Sequence, residues 1–528
     1  MKKKNILAII MLAPVLGFIG ACKKSTIDSK YLDPEKTTQG SIDAFYTGLL
    51  NNRRVIPDYW GLWTFNGIQM GIYTQTVGFV NANKMYEQPA SYSQDRWDDF
   101  YSAPGSDKAW SAPISSYREI EKSYEDLSTD ADKEGYLLFL NTAKIFVYDQ
   151  ACQQVDLWGD IPFTEAGGLN ATGGLKLPAF DEGRAVYDSA LTNLKLISNW
   201  LANVQPQQFY LNKLAKQDIL FKGDLTKWRR YANSLMLRLA MRKSLVDEAG
   251  AKALVQELLG NPTLYPMIEA YTDNAEIVTG GVNMVIDLTS AFNQNHDLAP
   301  GYMVDSLLKP SGDPRLRVLY TKNAQGQFHG LNISVPAAQQ QNEIGANMVS
   351  RMDSVTFIQN KFFPGILLTA AEVWFLKAEA FERWGSGMGG GSAKSAYEQG
   401  IMQSIYNYYK IHNLSTYGTK QTMWTPAEVT LLLANPKVAY GSVQEDNLNK
   451  IGLQKWINFG IMQNAQAWAE MRRSGYPKLT FPADPGVTGV PTPANRLTYP
   501  ASERSLNGEN YAKVADKDLP YAKIFWMK

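Results

Sequence analysis

The sequence predicts a mostly α-helical fold built from neighbouring helix pairs, with irregular stretches between them. Three observations predict it. Apolar residues recur at helical spacing in separate stretches, among them Tyr136–Val155, Thr226–Lys243 and Ile366–Arg383. Glycine and proline stop these stretches at Trp158-Gly159-Asp160-Ile161-Pro162, at Gly385 to Gly391 and at Gly475-Tyr476-Pro477. Residues 53–112 and 260–364 carry no sustained helical period. Helix pairs that stack on one another point to an α-solenoid of tetratricopeptide type. No repeat of about 34 residues aligns, so any repeats are degenerate.

Residues 1–22 read MKKKNILAIIMLAPVLGFIGAC. Three lysines, an apolar run and a small-residue end in cysteine follow the plan of a secretory signal. Ile19-Gly20-Ala21-Cys22 is a lipobox, so cleavage after residue 21 is expected to leave a lipidated Cys22. The apolar run is shorter than the roughly 20 residues a membrane-spanning helix needs. Polar residues 22–40 then read as a tether, and Ser41 as the cap of a first helix.

Past the tether, residues 53–112 are dense in aromatics, including Tyr59, Trp60, Trp63, Tyr73, Tyr86, Tyr92, Trp97 and Trp110. They read as loops and short helices. Residues 113–156 read as helix, ending at Gly159 and Pro162. A loop over 164–181 leads to a helix over about 182–203, with Asp181 as its expected cap. Trp228, Tyr231, Ala232, Leu235 and Leu239 line one face of Thr226–Lys243. The segment 260–364 reads as an irregular insertion with short strands. Ile366–Arg383 is apolar on most faces, as expected of a helix central to a bundle. Ser392–Tyr409 pairs with it, Gln444–Arg473 reads as one further helix, and the tail from 478 as loop.

Composition narrows the function classes. The 528 residues carry 52 basic and 51 acidic side chains. Loss of Lys2, Lys3 and Lys4 with the leader leaves 49 against 51, without the basic footprint of a nucleic-acid binder. Of two cysteines, Cys22 goes to lipid and Cys152 sits in an apolar stretch, so no intramolecular disulfide is expected. His296, His329 and His412 show no zinc-ligand spacing, and no metal or cofactor is expected. The 28 tyrosines and 13 tryptophans suit recognition of sugars or peptides, and equally a large core.

Six segments in order carry a resemblance. They are the lipobox, Trp158 to Pro162, Lys227-Trp228-Arg229-Arg230-Tyr231-Ala232-Asn233 through Arg242, and Leu367 through Ala380 with Glu372 and Glu379. Ala467-Trp468-Ala469-Glu470-Met471-Arg472-Arg473-Ser474-Gly475-Tyr476-Pro477 and Arg496-Leu497-Thr498-Tyr499-Pro500 with Glu503 and Asn507 complete the set. Together they resemble the SusD/RagB family of nutrient-binding outer-membrane lipoproteins of Bacteroidetes, in its SusD-like 2 branch. The resemblance implies about four degenerate tetratricopeptide-like helix pairs as a scaffold and an irregular, ligand-binding lobe containing short strands. It implies one domain over 41–528, with scaffold mainly at 41–52, 113–245, 365–411 and 444–473. The lobe would comprise 53–112, 246–364 and 412–443, followed by a C-terminal loop region over 474–528. It further implies a SusC-like TonB-dependent outer-membrane transporter as partner, attachment through the lipid anchor facing outward, and no catalysis. Lys23-Lys24 follows Cys22, where surface-exported members often carry acids.

The family motifs sit in the scaffold, so ligand residues are read from chemistry. A pyranose stacks its C–H face on an aromatic ring while its hydroxyls need amides, carboxylates or guanidiniums. Tyr59, Trp60, Trp63, Asn66, Gln69, Tyr73 and Trp97 form the expected ligand-binding set, with Trp424 a weaker candidate. Glu372 and Glu379 share one helix face, where bundle hydrogen bonding is expected rather than the paired acids of a glycosidase. Three functions compete. The first is delivery of oligosaccharides to the transporter, with peptides as the alternative cargo. The others are a lipid-anchored glycan hydrolase and a purely structural surface protein.

Overall fold

Helices form where the apolar period demands them, and side chains cap many of their ends. In the computed structural model, residues 41–528 are described, apart from 103–109, 169–175, 295, 485 and 487–488. The predicted signal peptide 1–21, Cys22 and the tether 22–40 lie outside the described residues, as does part of the glycine-rich loop 164–181. Helix Ile42–Leu50 packs on Pro113–Glu125, which packs on Asp130–Trp158. Gly183–Asn203, Leu225–Lys243 and Glu248–Gly260 continue the stack, each against its predecessor. The Thr129 hydroxyl accepts the Asp132 N–H, and the Asp224 carboxylate accepts the Lys227 N–H, starting two of these helices.

A second group centres on Ala370–Trp384, which lies against Ala393–Leu414, Gln444–Phe459 and Leu225–Lys243. Its approach to Ala393–Leu414 is close because Gly400 faces Phe375; a Cβ there would stand 2.5 Å from the ring. One apolar cluster runs through both groups. The only strands among the described residues are Ala275–Ile277 and Gly365–Leu368, paired antiparallel. The fold is therefore mostly helical, as the apolar spacing predicts.

Four boundaries differ from the sequence reading. Residues 113–156 are two helices, separated before the Thr129 cap. Helix Ala370–Trp384 starts four residues later than expected, because Gly365–Leu368 pairs as a strand and Thr369 caps the helix. Gln444–Arg473 is two helices, Gln444–Phe459 and Asn464–Ser474. They part at Gly460, whose φ of +47° suits glycine and whose Cβ would meet the Tyr408 hydroxyl at 2.7 Å. Asp181 does not cap the helix after it; its carboxylate accepts the Phe163 and Thr164 N–H groups instead.

The motifs that carry the family resemblance tie distant parts of the chain together. Arg238 pairs with Glu372, and Arg473 pairs with both Glu379 and Glu470. Trp158 Nε1 donates to the Thr498 carbonyl at 3.1 Å, and the Tyr499 hydroxyl donates to the Asp160 carbonyl at 2.7 Å. Arg472 stacks 3.5 Å over the Trp468 ring and donates to the Asn495 and Asp156 carbonyls. Cys152 is buried in this scaffold, and burial pushes its thiol well above the usual range, so it is held as a neutral core group.

Candidate functional site

The aromatic-rich segment folds as a short helical approach to a π-helix over Gly61–Met70, which runs on into Gly71–Thr74. π-Helical turns are uncommon and concentrate at functional sites. Tyr59, Trp60 and Trp63 sit at its start and gather into one surface. The Tyr59 ring lies 5.1 Å from Trp60 and 5.3 Å from Trp63, and Trp60 lies 5.4 Å from Trp63, centroid to centroid. Tyr92, from helix Ala90–Tyr101, extends the group at 5.9 Å from Trp63. Trp60 is 44% exposed, whereas Tyr59, Trp63 and Tyr92 are half-buried. Neighbouring rings hold each other in place and leave part of the Trp60 ring open to water.

The remaining expected ligand residues lie elsewhere. Asn66 donates to the Ile461 carbonyl at 3.1 Å and to Asn464 Oδ1 at 2.9 Å, and its own carbonyl accepts from Asn464. It therefore clamps the π-helix to helix Asn464–Ser474. Gln69 is 3% exposed and its amide has no partner among the described residues. Tyr73 is buried, donates to the Tyr86 carbonyl at 2.6 Å and packs on Trp468. Trp97 is 1% exposed and packs edge-on against Trp158 and Tyr499. Gln69, Tyr73 and Trp97 thus face the core, a correction to the expected set: the segment that builds the open face also supplies its own support. Trp424 packs on Tyr406 far along the chain, with a buried Nε1. Tyr92 belongs to the surface but not to the expected set; only the chain reversal after Thr74 brings it there.

The opposite side of the same helix borders a cleft with about 60 Å³ open to water. Arg53, Arg54, Asp58, Phe65, Arg96 and Gln153 contribute to its wall. Arg96 stacks over Phe65 at 4.5 Å, and the Arg53 Nε donates to Asp99.

This architecture has relatives. A family model for SusD-like 2 proteins, described as starch-binding and associating with the outer membrane, matches residues 63–500. The chain belongs to the SusD-like family. Known structures agree with the assignment at the level of fold. A chitin-binding protein superposes on the SusD-like chain with a TM-score of 0.72 at 21% identity, covering 92% of this chain and 100% of that one. A SusD homologue from Bacteroides fragilis gives a TM-score of 0.71 at 17% identity, covering 93% and 100%. A chitin-binding SusD homologue from Flavobacterium johnsoniae gives 0.68 at 22% identity, covering 92% and 98%. A sequence comparison with curated proteins gives no match.

Among the described residues, no group of three or more histidine, cysteine or acidic side chains is placed to hold a metal ion. No helix among them is long and apolar enough to cross a membrane. Glu372 and Glu379, the two acids on one helix face, are 2% and 3% exposed and are taken up by Arg238, Arg473 and Lys455.

Proposed function

We propose that this SusD-like chain binds oligosaccharides on the Tyr59, Trp60, Trp63 and Tyr92 surface and delivers them, without turnover, to a SusC-like TonB-dependent transporter. The half-exposed Trp60, braced by the Tyr59 and Trp63 rings, is the observation that carries the reading. A sugar's C–H face gains from leaving water against such a ring, and each ring rigidifies the next, so little ordering is lost on binding. The starch-binding description of the family and the chitin-binding relatives of similar fold support a glycan over other apolar ligands. Lipidation at Cys22 would fix the body at the outer membrane, where a tether keeps it near the barrel at high effective concentration.

Calorimetric titration of the full lipidated protein in detergent with chito- and malto-oligosaccharides tests the binding step. Saturable binding without product release is expected, with affinity lowered about tenfold or more in Trp60→Ala combined with Trp63→Ala. No binding by any oligosaccharide, or steady release of shorter products, would contradict it. Recovery of a large β-barrel with the protein from native membranes tests the transporter step.

A further inference from the structure

The cleft beside the aromatic helix brings three arginines together. Among the described residues, Arg53, Arg54 and Arg96 meet Asp58 and Asp99 there, and Asp149 also acts on Arg54. Asp99 is held by the Arg53 Nε, with Arg96 Nη1 4.0 Å away. Asp58 Oδ1 accepts the Gly61 N–H at 2.9 Å. Arg54 is 7% exposed, and no carboxylate among the described residues is paired with it. Its Nε donates to Gln150 at 3.1 Å, and its Nη1 donates to Gln154 at 2.8 Å and to the Arg96 carbonyl at 3.2 Å. Arg54 Nη2 and Arg96 Nε are buried with no acceptor among the described residues.

Other deeply buried arginines are treated differently. Arg238, Arg242, Arg315 and Arg473 each have a carboxylate within 4 Å. Arg496 has none, but it donates to the Leu497 and Lys517 carbonyls and lies away from this cleft. An unpaired buried guanidinium is costly, because the attraction of a counter-charge does not offset its lost hydration. Burial, with Arg96 alongside, accordingly pulls the Arg54 guanidinium well below its usual range, and burial pulls Arg96 down to about 10.

The cleft has room for a ligand group. Its roughly 60 Å³ open to water exceeds what one bound water needs, and a carboxylate fits it. We infer that the cleft is a carboxylate subsite, in which Arg54 and Arg96 receive an acid group carried by the ligand. Arg54 Nη2 and Arg96 Nε are the donors left to meet a carboxylate's oxygens in charge-assisted hydrogen bonds. The assignment rests on the glycan reading for its first source, a uronate residue of an acidic oligosaccharide. The C-terminal carboxylate of a peptide has the same chemistry.

The test uses the full lipidated protein and two matched probe pairs. One is trigalacturonate and its methyl ester; the other is an acetylated tripeptide with a free or an amidated C-terminus. One acid form is expected to bind about tenfold tighter than its neutral twin, and the pair that shows the preference identifies the source. The preference should vanish in Arg54→Gln and in Ala465→Asp. Ala465 lines the same cleft in the first turn of helix Asn464–Ser474, where an added acid suits the helix and removes no hydrogen-bonding side chain. Equal binding of acid and neutral forms, no binding by either pair, or a preference that survives both variants would overturn the assignment. Neutral chito-oligosaccharides, titrated in parallel, report on the aromatic surface alone. Their binding without any acid preference would sink the carboxylate subsite and leave the glycan reading standing. A peptide acid preference without chito-oligosaccharide binding would do the reverse.

Discussion

Arg238 grips Glu372 with two prongs, Nε to Oε1 at 2.6 Å and Nη2 to Oε2 at 2.7 Å, where both side chains are almost fully buried. The same guanidinium reaches Asp149 at 3.2 Å and the Leu367 carbonyl at 2.7 Å. One residue thereby fastens helix Leu225–Lys243 to helices Ala370–Trp384 and Asp130–Trp158. Glu372→Ala leaves that charge short of a partner and is expected to cost about 3–5 kcal/mol in chemical denaturation. Arg238→Met combined with Glu372→Leu removes both charges, leaves Asp149 its Tyr231 hydroxyl donor, and should cost less than Glu372→Ala alone. A double variant no more stable than the single one would show that the ion pair itself, rather than the stranded charge, sets the loss.

Acid sensitivity should come in two limbs. His296 presses on Gly67 of the π-helix, and burial lowers its imidazole to about 4 from an ordinary 6.5. The folded chain therefore takes up that proton later than the unfolded chain, so stability falls as pH drops from about 6.5 towards 4. The second limb belongs to Glu379 and Glu470. Burial alone would raise both, but Arg473 and Lys455 outweigh it and hold them well below the ordinary 4.5. Their stabilisation is complete above 4.5 and is lost as pH falls below it. Asp99 and Asp156, which burial lifts, act in the opposite sense. Melting temperature against pH for His296→Asn should lose the upper limb and keep the lower one. An unchanged upper limb would contradict the assignment.

Asp218 organises the turn before helix Leu225–Lys243 as acceptor for four donors. These are the N–H groups of Leu220, Phe221 and Gly223, each at 2.9 Å, and Trp228 Nε1 at 2.8 Å. Asp218→Asn turns an amide donor towards some of them, and a loss of about 3 kcal/mol is expected in urea unfolding. A loss under about 1 kcal/mol would mean that water replaces the carboxylate readily.

Trp60 and Trp97 are expected to separate binding from stability. Trp60→Ala at the open face should change unfolding free energy by about 0.5 kcal/mol or less while lowering oligosaccharide affinity. Trp97→Ala should cost about 3–5 kcal/mol by opening a cavity against Trp158 and Tyr499. Paired calorimetric titrations and denaturation curves check both, and an exchange of the two signatures would contradict the placement.

Much of the scaffold was legible in the chain because helix packing writes a period into it. Trp228, Tyr231, Ala232, Leu235 and Leu239 mark the buried face of their helix, and all five are at most 2% exposed. The break at Gly460 was not legible. Trp456, Ile457, Phe459 and Ile461 carry the apolar spacing across it, and the packing of Tyr408 against the turn demands it. The strand Gly365–Leu368 was hidden likewise, since its partner lies some ninety residues upstream. At the site, Tyr59, Trp60 and Trp63 were readable as one group because they are one, three and four residues apart. Trp97 and Tyr73 have the same composition, and which side of the lobe they face is set by Trp158, Tyr499 and Trp468. Tyr92 needed the chain reversal after Thr74.

The most direct test of the central claim is a crystal structure with a bound chito- or malto-oligosaccharide. A pyranose ring stacked on Trp60 or Trp63, within contact of Tyr59 or Tyr92, is the predicted result. An ordered oligosaccharide bound elsewhere on the protein, with those four rings bare, would contradict it.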